Sequence, residues 1–201
     1  GGIFITISLA TLTLALTRVG MPDIWMAVWF AVFVLSLICF IFRQSRVLEP
    51  LIPLYIFKNW MFSAASVTHL MVGGSLIIGM VTIPLMADTI LGHSTLEGGL
   101  RLMRMTVAIP FGAVLGGLFC QRLDYRLPTI LGLIMVAIGF GFMSHWGLDI
   151  ADPAMTVHLL ITGFGFGLIV VPITLAATSF VDTEYIGTAA ALVTAMRLLG
   201  M

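Results

Sequence analysis

The chain has 201 residues, nine basic and nine acidic, so its formal net charge is zero; 60% of the residues are hydrophobic and 9% are charged. A soluble domain carries about 25% charged residues, so this chain has too few to cover a surface in water, and a nucleic-acid binder would need a basic face for phosphates as well. So much apolar surface also excludes disorder, and what remains is an integral membrane protein with the bilayer as its solvent.

The charges punctuate the chain, and the gaps between them read as membrane spans of roughly 20 apolar residues. The first span covers residues 1–17, the second Ile24–Phe42, and the third Asn59–Ala87, which holds no charge at all. Ser94 followed by Glu97 has the spacing of a capping box, which starts the fourth span near Thr95; its charge-free part begins after Arg104 and lasts to Gln121. The fifth covers Leu127–Leu148 and the sixth Pro153–Val181, with proline in its first turn. The seventh starts near Thr183 or Glu184. The runs are continuously apolar rather than alternating, which predicts an all-α polytopic transmembrane helical bundle and not a β-barrel. Turn signals at Met21, Pro22 and Asp23 and at Glu49, Pro50 and Pro53 separate the first three spans. Neither end reads as a natural terminus, and no signal peptide is visible.

Basic residues in short loops set the expected orientation. Arg43, Arg46 and Lys58 in one loop, and Arg122 and Arg126 in another, face the cytoplasm; loops holding Asp88 and Glu97, or Asp149 and Asp152, face outward. Arg18 is the one contrary residue. Cys39 and Cys120 lie in apolar runs without metal-ligand spacing, so no metal site and no cofactor is expected.

Ionisable groups inside lipid are costly and mark function by default. Arg197 is the deepest, roughly 20 Å along its helix if that helix starts near Thr183. Arg101 and Arg104, three apart on one helix face, lie roughly 9 and 14 Å from Thr95. His69 follows Ser63, Ser66 and Thr68, and its imidazole is either a proton shuttle or a hydrogen-bonded link between helices. These four are candidates for a substrate cavity or for coupling. Asp88 and Glu97 are candidates for an external gate; Asp88 is also a possible partner for Arg101 or Arg104, and Glu97 for Arg101. His93, His145 and His158 have weaker claims. Gly112 and Gly116 form GxxxG, and Gly163, Gly165 and Gly167 thin the sixth span before Pro172, which reads as close helix packing with a bend. The GFGFG run lacks the GxGxxG spacing of a dinucleotide site. No nucleophile–base pair or phosphate loop appears, so an enzyme is not expected.

Five segments in order resemble the C-terminal half of major facilitator superfamily transporters, in the fourteen-span drug/proton antiporter branch. They are EPLIPLYIF (Glu49–Phe57), GHSTLEGGL (Gly92–Leu100), QRLDYRLPTILG (Gln121–Gly132), GFGFGLIVVP (Gly163–Pro172) and GTAAALVTAMRLLG (Gly187–Gly200). The resemblance implies that residues 1–45 hold the two extra linking spans and that residues 46–201 hold the C-terminal transporter bundle, truncated in its fifth helix, with the N-terminal bundle upstream. It puts His69, Arg101, Arg104 and Arg197 on cavity-lining helices, and Arg122, Asp124 and Arg126 in a cytoplasmic gate motif. Gln121 departs from that motif, which usually has an acid there, and Met103 and Arg104 replace a usual leucine–proline pair. The implied function is proton-coupled efflux of small molecules or drugs by alternating access in the plasma membrane, with the substrate, protons, the lipid bilayer and the N-terminal bundle as partners. The alternative is a non-transporting membrane sensor or assembly protein that keeps the bundle.

Overall fold

The computed structural model describes residues 2–17, 24–44, 54–92, 94–147 and 150–201. The expected boundary at residues 45 and 46, the turn at residues 21–23, and Arg18, Arg46, Glu49, His93 and Asp149 lie outside the described residues. The chain forms two compact units, Gly1–Lys58 and Asn59–Met201.

The first unit holds α1 (Gly2–Leu16) and α2 (Ile24–Gln44), which pack on each other, and a 3-10 turn at Leu54–Lys58. Ser8, Thr11 and Ala15 are buried at helical spacing on α1, as are Ser36 and Phe40 on α2. Small residues at such positions let two helices approach in lipid. Their hydroxyls are satisfied within their own helices: Thr11 Oγ1 donates to the Ile7 carbonyl at 2.8 Å and Ser36 Oγ to that of Phe33 at 2.9 Å.

The second unit holds α3 (Trp60–Thr89), α4 (Thr95–Arg122), α5 (Arg126–Met143), α6 (Asp152–Thr178), a 3-10 turn at Thr183–Tyr185 and α7 (Ile186–Gly200). Side chains fix the helix starts. Asn59 accepts the Met61 N–H at 2.9 Å, and Ser94 and Glu97 complete the expected capping box, each accepting the other's backbone N–H. Among the described residues five helices, α2 to α6, are long and apolar enough to cross a membrane, and the chain is a multi-pass membrane protein built as an all-α bundle.

The inner helix is α6. It packs against α3, α4, α5 and α7, and 61% of its apolar window is buried, against 22–28% for the windows of α3, α4 and α5. The glycines make this possible. A methyl group on Gly163 would collide with the Met105 carbonyl, one on Gly167 with that of Ile109, and one on Gly112 with that of Phe164. On the other side a methyl on Gly132 would stand 2.7 Å from the Gly165 carbonyl. Backbone therefore lies on backbone along both seams. Pro84, Pro110 and Pro172 sit inside α3, α4 and α6, where each removes one ladder hydrogen bond.

The sixth helix ends at Thr178, short of the expected Val181, and two further spans differ from their expected bounds in an informative way. The fifth was expected to reach Leu148, but α5 ends at Met143. The chain leaves it through tight turns in which the N–H groups of His145 and Trp146 reach the carbonyls of Phe142 and Met143 at 3.1 Å. Apolar content alone did not separate helix from this aromatic turn, which Trp146 anchors by packing on the core of Ile83, Met105, Met155 and Leu159. The seventh starts at Ile186, because Thr183–Tyr185 form a 3-10 turn closed by Tyr185 N–H on the Asp182 carbonyl at 2.8 Å. Counted from Ile186, Arg197 is roughly 17 Å along α7 rather than 20 Å.

The seams predict an asymmetry among glycines. Gly167→Val should lower stability by about 1–3 kcal/mol through overpacking. Gly141→Ala, where an added methyl meets nothing within 4 Å, should be neutral or slightly stabilising. Thermal unfolding of both variants in detergent checks the contrast.

Candidate functional site

Among the described residues, three groups of polar residues interrupt the apolar second unit. The first joins α4 to α6 at the end of the unit that holds the α3–α4 and α5–α6 connections. Arg101 and Arg104 project from one face of α4 toward Asp152, the first residue of α6. Arg104 Nη1 donates to Asp152 Oδ2 at 2.9 Å, to Oδ1 at 3.0 Å and to Thr156 Oγ1 at 2.6 Å. Thr156 in turn donates to the Asp152 backbone carbonyl at 2.9 Å. Arg101 Nε lies 3.9 Å from Asp152 Oδ1. One carboxylate thus faces two guanidinium groups, and its place in the first turn of α6 adds the favourable field of the helix start. Glu97, Leu100, Arg101, Arg104 and Asp152 line a cavity of about 420 Å³.

This arrangement corrects one expectation. Asp88, a possible partner for Arg104, is exposed in the last turn of α3 and makes no ion pair among the described residues; Arg104 is bound to Asp152. The reason is packing: the α4–α6 contact is the most extensive in the unit and the α3–α4 contact much smaller. Asp152 and Thr156 were not singled out from sequence. A signal existed, since Asp152 precedes the Pro153 that opens the sixth span, on the same expected side as Arg101. Which of the loop acids α4 would meet depends on the neighbour of α4, which spacing does not reveal.

The second group lies between α3, α6 and α7. His69 is fully buried. Its Nδ1 is 3.1 Å from the Val193 carbonyl on α7, and since a carbonyl only accepts, Nδ1 carries the hydrogen. Its Nε2 and Ser66 Oγ are buried without a hydrogen-bond partner. Arg197 lies one helical turn beyond Val193 on α7. Arg197 is half-buried and pairs with no carboxylate among the described residues. The α3 and α7 backbones touch here: a methyl on Gly73 would collide with the Arg197 carbonyl, and one on Gly200 with that of Leu70. His69 and Arg197, 128 positions apart in the sequence, are brought together; Arg101 and Arg104 belong to the other cluster.

The third group is the α4–α5 loop at the opposite end of α4. Arg126 Nε lies 3.5 Å from Asp124 Oδ2, with both side chains exposed. Arg122 closes α4 in its last turn, where a cation suits the helix dipole. Tyr125 meets Phe180 edge-on at 6.5 Å, which ties this loop to the chain just past α6. His145 and His158 serve packing: His158 Nδ1 accepts the Trp146 indole N–H at 3.0 Å and stacks on Phe142, and His145 Nδ1 lies 2.8 Å from the Gly141 carbonyl.

No protein-family model matches the chain. It is similar to multidrug resistance protein 3 of Bacillus subtilis strain 168, 28% identical over 205 residues, which is 100% of this chain and 40% of that protein. A triacylglyceride transporter of Mycolicibacterium smegmatis is 33% identical over 150 residues, 70% of this chain and 27% of that protein. The multidrug transporter protein MdtP of Bacillus subtilis strain 168 is 26% identical over 192 residues, 92% of this chain and 35% of that protein. The chain therefore spans 27–40% of the length of these curated relatives, all of which carry the names of transporters or resistance proteins rather than enzymes.

The geometry predicts that Arg104 and Asp152 act as a pair. In a double-mutant cycle of Arg104→Ala and Asp152→Ala, read by thermal unfolding, the coupling should be about 0.5–1 kcal/mol, the range for a pair whose acid is mostly exposed. The same cycle with Asp88→Ala should give none.

Proposed function

We propose that the chain is part of a secondary transporter of the major facilitator superfamily, in its drug/proton antiporter branch, and that the whole protein exports small amphipathic molecules across the plasma membrane by alternating access. The observation that carries this reading is Arg197. A guanidinium roughly 17 Å along an apolar helix, half-buried and without a carboxylate among the described residues, needs either a water-filled cavity or an acid on another part of the protein. A transporter whose binding site lies between two bundles near the midplane supplies both. Similarity to named multidrug and triacylglyceride transporters supports the same reading and suggests apolar or amphipathic cargo.

In this reading the first unit supplies linking spans and the second is the C-terminal bundle. The Arg101–Arg104–Asp152 cluster closes its outer end, with Glu97 and Asp88 nearby. Arg122, Asp124 and Arg126 sit at the cytoplasmic end, where they lock helix ends when that side closes. Arg197 gives the cavity a positive potential that favours an anionic group on the cargo or a carboxylate of the other bundle.

The test is transport by the full-length protein in proteoliposomes, with ethidium and a fluorescent triacylglyceride as probes. Arg197→Ala should slow transport about tenfold or more, the scale of losing one charge-assisted contact, while Arg197→Lys keeps part of the rate. Unchanged transport in Arg197→Ala would remove the cavity role. A folded protein that moves neither probe, and whose activity in cells tolerates Arg197→Ala but not changes at Arg122 or Arg126, would favour the sensor or assembly reading.

A further inference from the structure

We propose that the groove beside the α4–α6 seam holds one phospholipid of the surrounding bilayer, of the phosphatidylethanolamine class. Its phosphate and ammonium lie in the cluster of Glu97, Arg101, Arg104 and Asp152, and an acyl chain lies along the apolar groove below. Such a site needs only a bilayer around the second unit and is independent of what the protein moves.

Helix length sets the depth. α6 has 27 residues, roughly 40 Å at 1.5 Å per residue, which matches a hydrocarbon core of about 30 Å together with its headgroup layers. Asp152, the first residue of α6, therefore lies at headgroup level, and Arg104, bound to it, reaches the same level. From there a row at intervals of four runs down α6 through Thr156 and Leu160 to Phe164, roughly 18 Å into the hydrocarbon. On α4, Arg104 is followed by Val107, Ala108 and Phe111 on the same face.

These two rows line two cavities in succession. The one at the charged end holds about 420 Å³. The next holds about 380 Å³ between Val107, Ala108 and Phe111 of α4 and Leu160, Ile161 and Phe164 of α6, and every side chain that lines it is apolar. Both volumes fall in the range of ligand clefts, roughly 300–1,000 Å³. Thr156, which Arg104 holds at 2.6 Å, lies between them. Val107, Phe111 and Leu160 are exposed, so the groove is open along its side. A charged end followed by an apolar channel suits a molecule with a charged head and a long apolar tail.

Charge chooses among such molecules. The lining of the first cavity holds two guanidinium groups, Arg101 and Arg104, and two carboxylates, Glu97 and Asp152. Their formal charges cancel, so a headgroup with negative charge alone meets repulsion as well as attraction. A headgroup with both signs finds a partner for each: guanidinium groups suit phosphate, and carboxylates accept from an ammonium. The Arg104 side chain is 31% exposed and that of Asp152 55%, so each keeps an open side after pairing with the other. A primary ammonium donates N–H groups to the carboxylates; the trimethylammonium of phosphatidylcholine has none to donate. The match therefore favours phosphatidylethanolamine over both phosphatidylglycerol and phosphatidylcholine.

The test is native mass spectrometry of the full-length protein in detergent, titrated separately with these three lipids carrying the same acyl chains. The first phosphatidylethanolamine should bind about tenfold more tightly than either of the others, the scale of one charge-assisted hydrogen bond. Equal binding of all three, or tighter phosphatidylglycerol, overturns the proposal. Asp152→Asn should erase the preference for phosphatidylethanolamine over phosphatidylcholine, and a preference that survives it overturns the role of the carboxylate. Val107→Trp fills the groove and leaves the charges in place. It should weaken the first lipid about tenfold, the scale of expelling two methylene groups, while Val67→Trp, at an exposed position of α3, should not. Unaltered binding in Val107→Trp overturns the placement in the groove. A triacylglyceride, which carries neither charge, should not displace the bound lipid; displacement would make the groove a cargo site and overturn the proposal.

Discussion

The approach of helix backbones to one another at glycine is the constraint on which the second unit depends. In lipid, apolar side chains gain little by leaving the bilayer for each other, so helices associate through van der Waals contact at short range and through hydrogen bonds. Gly112, Gly163 and Gly167 bring α4 and α6 together, and Gly132 and Gly165 bring α5 and α6 together. With α6 held on both sides, Asp152 at its start is carried to Arg104, and Val170 in its middle is carried to His69. The polar clusters follow from where small residues allow the backbones to lie.

The two embedded cation sites are solved in different ways. Arg104 reaches an acid of the same unit and a threonine hydroxyl, and its charge is compensated where it lies. Arg197 is also half-buried and pairs with no acid among the described residues. One arginine therefore stiffens a helix pair and the other leaves a charge to be answered, although both arose as charges interrupting apolar runs.

Much of the architecture was legible because charge and turn chemistry punctuate a membrane protein sharply. The capping box at Ser94 and Glu97 and the proline after Asp152 set helix starts to the residue or nearly so. Where no charge marked the break it failed: Ser144, His145 and Trp146 carry no formal charge but turn in space. Of the polar sites, the candidates Arg104, Arg197 and His69 were legible because ionisable groups in lipid are rare. Their partners were not. Asp152 is one of several loop acids, and the choice among them depends on α4 lying against α6. The Val193 carbonyl is a backbone atom that no side-chain pattern announces, and it became a partner only because α7 crosses α3 at glycine.

The same physics separates the two polar clusters by what they tolerate. A partly exposed ion pair such as Arg104–Asp152 is bathed in solvent on one side, and its strength falls as salt screens it. His69 has no such relief: it is fully buried and hydrogen-bonds the Val193 carbonyl across the α3–α7 contact. The α3–α7 contact is packed as closely as the α4–α6 seam: a methyl on Gly73 would collide with the Arg197 carbonyl and one on Gly200 with that of Leu70, and His69 and Val193 are fully buried beside them, so this contact is held by the same backbone approach as the others.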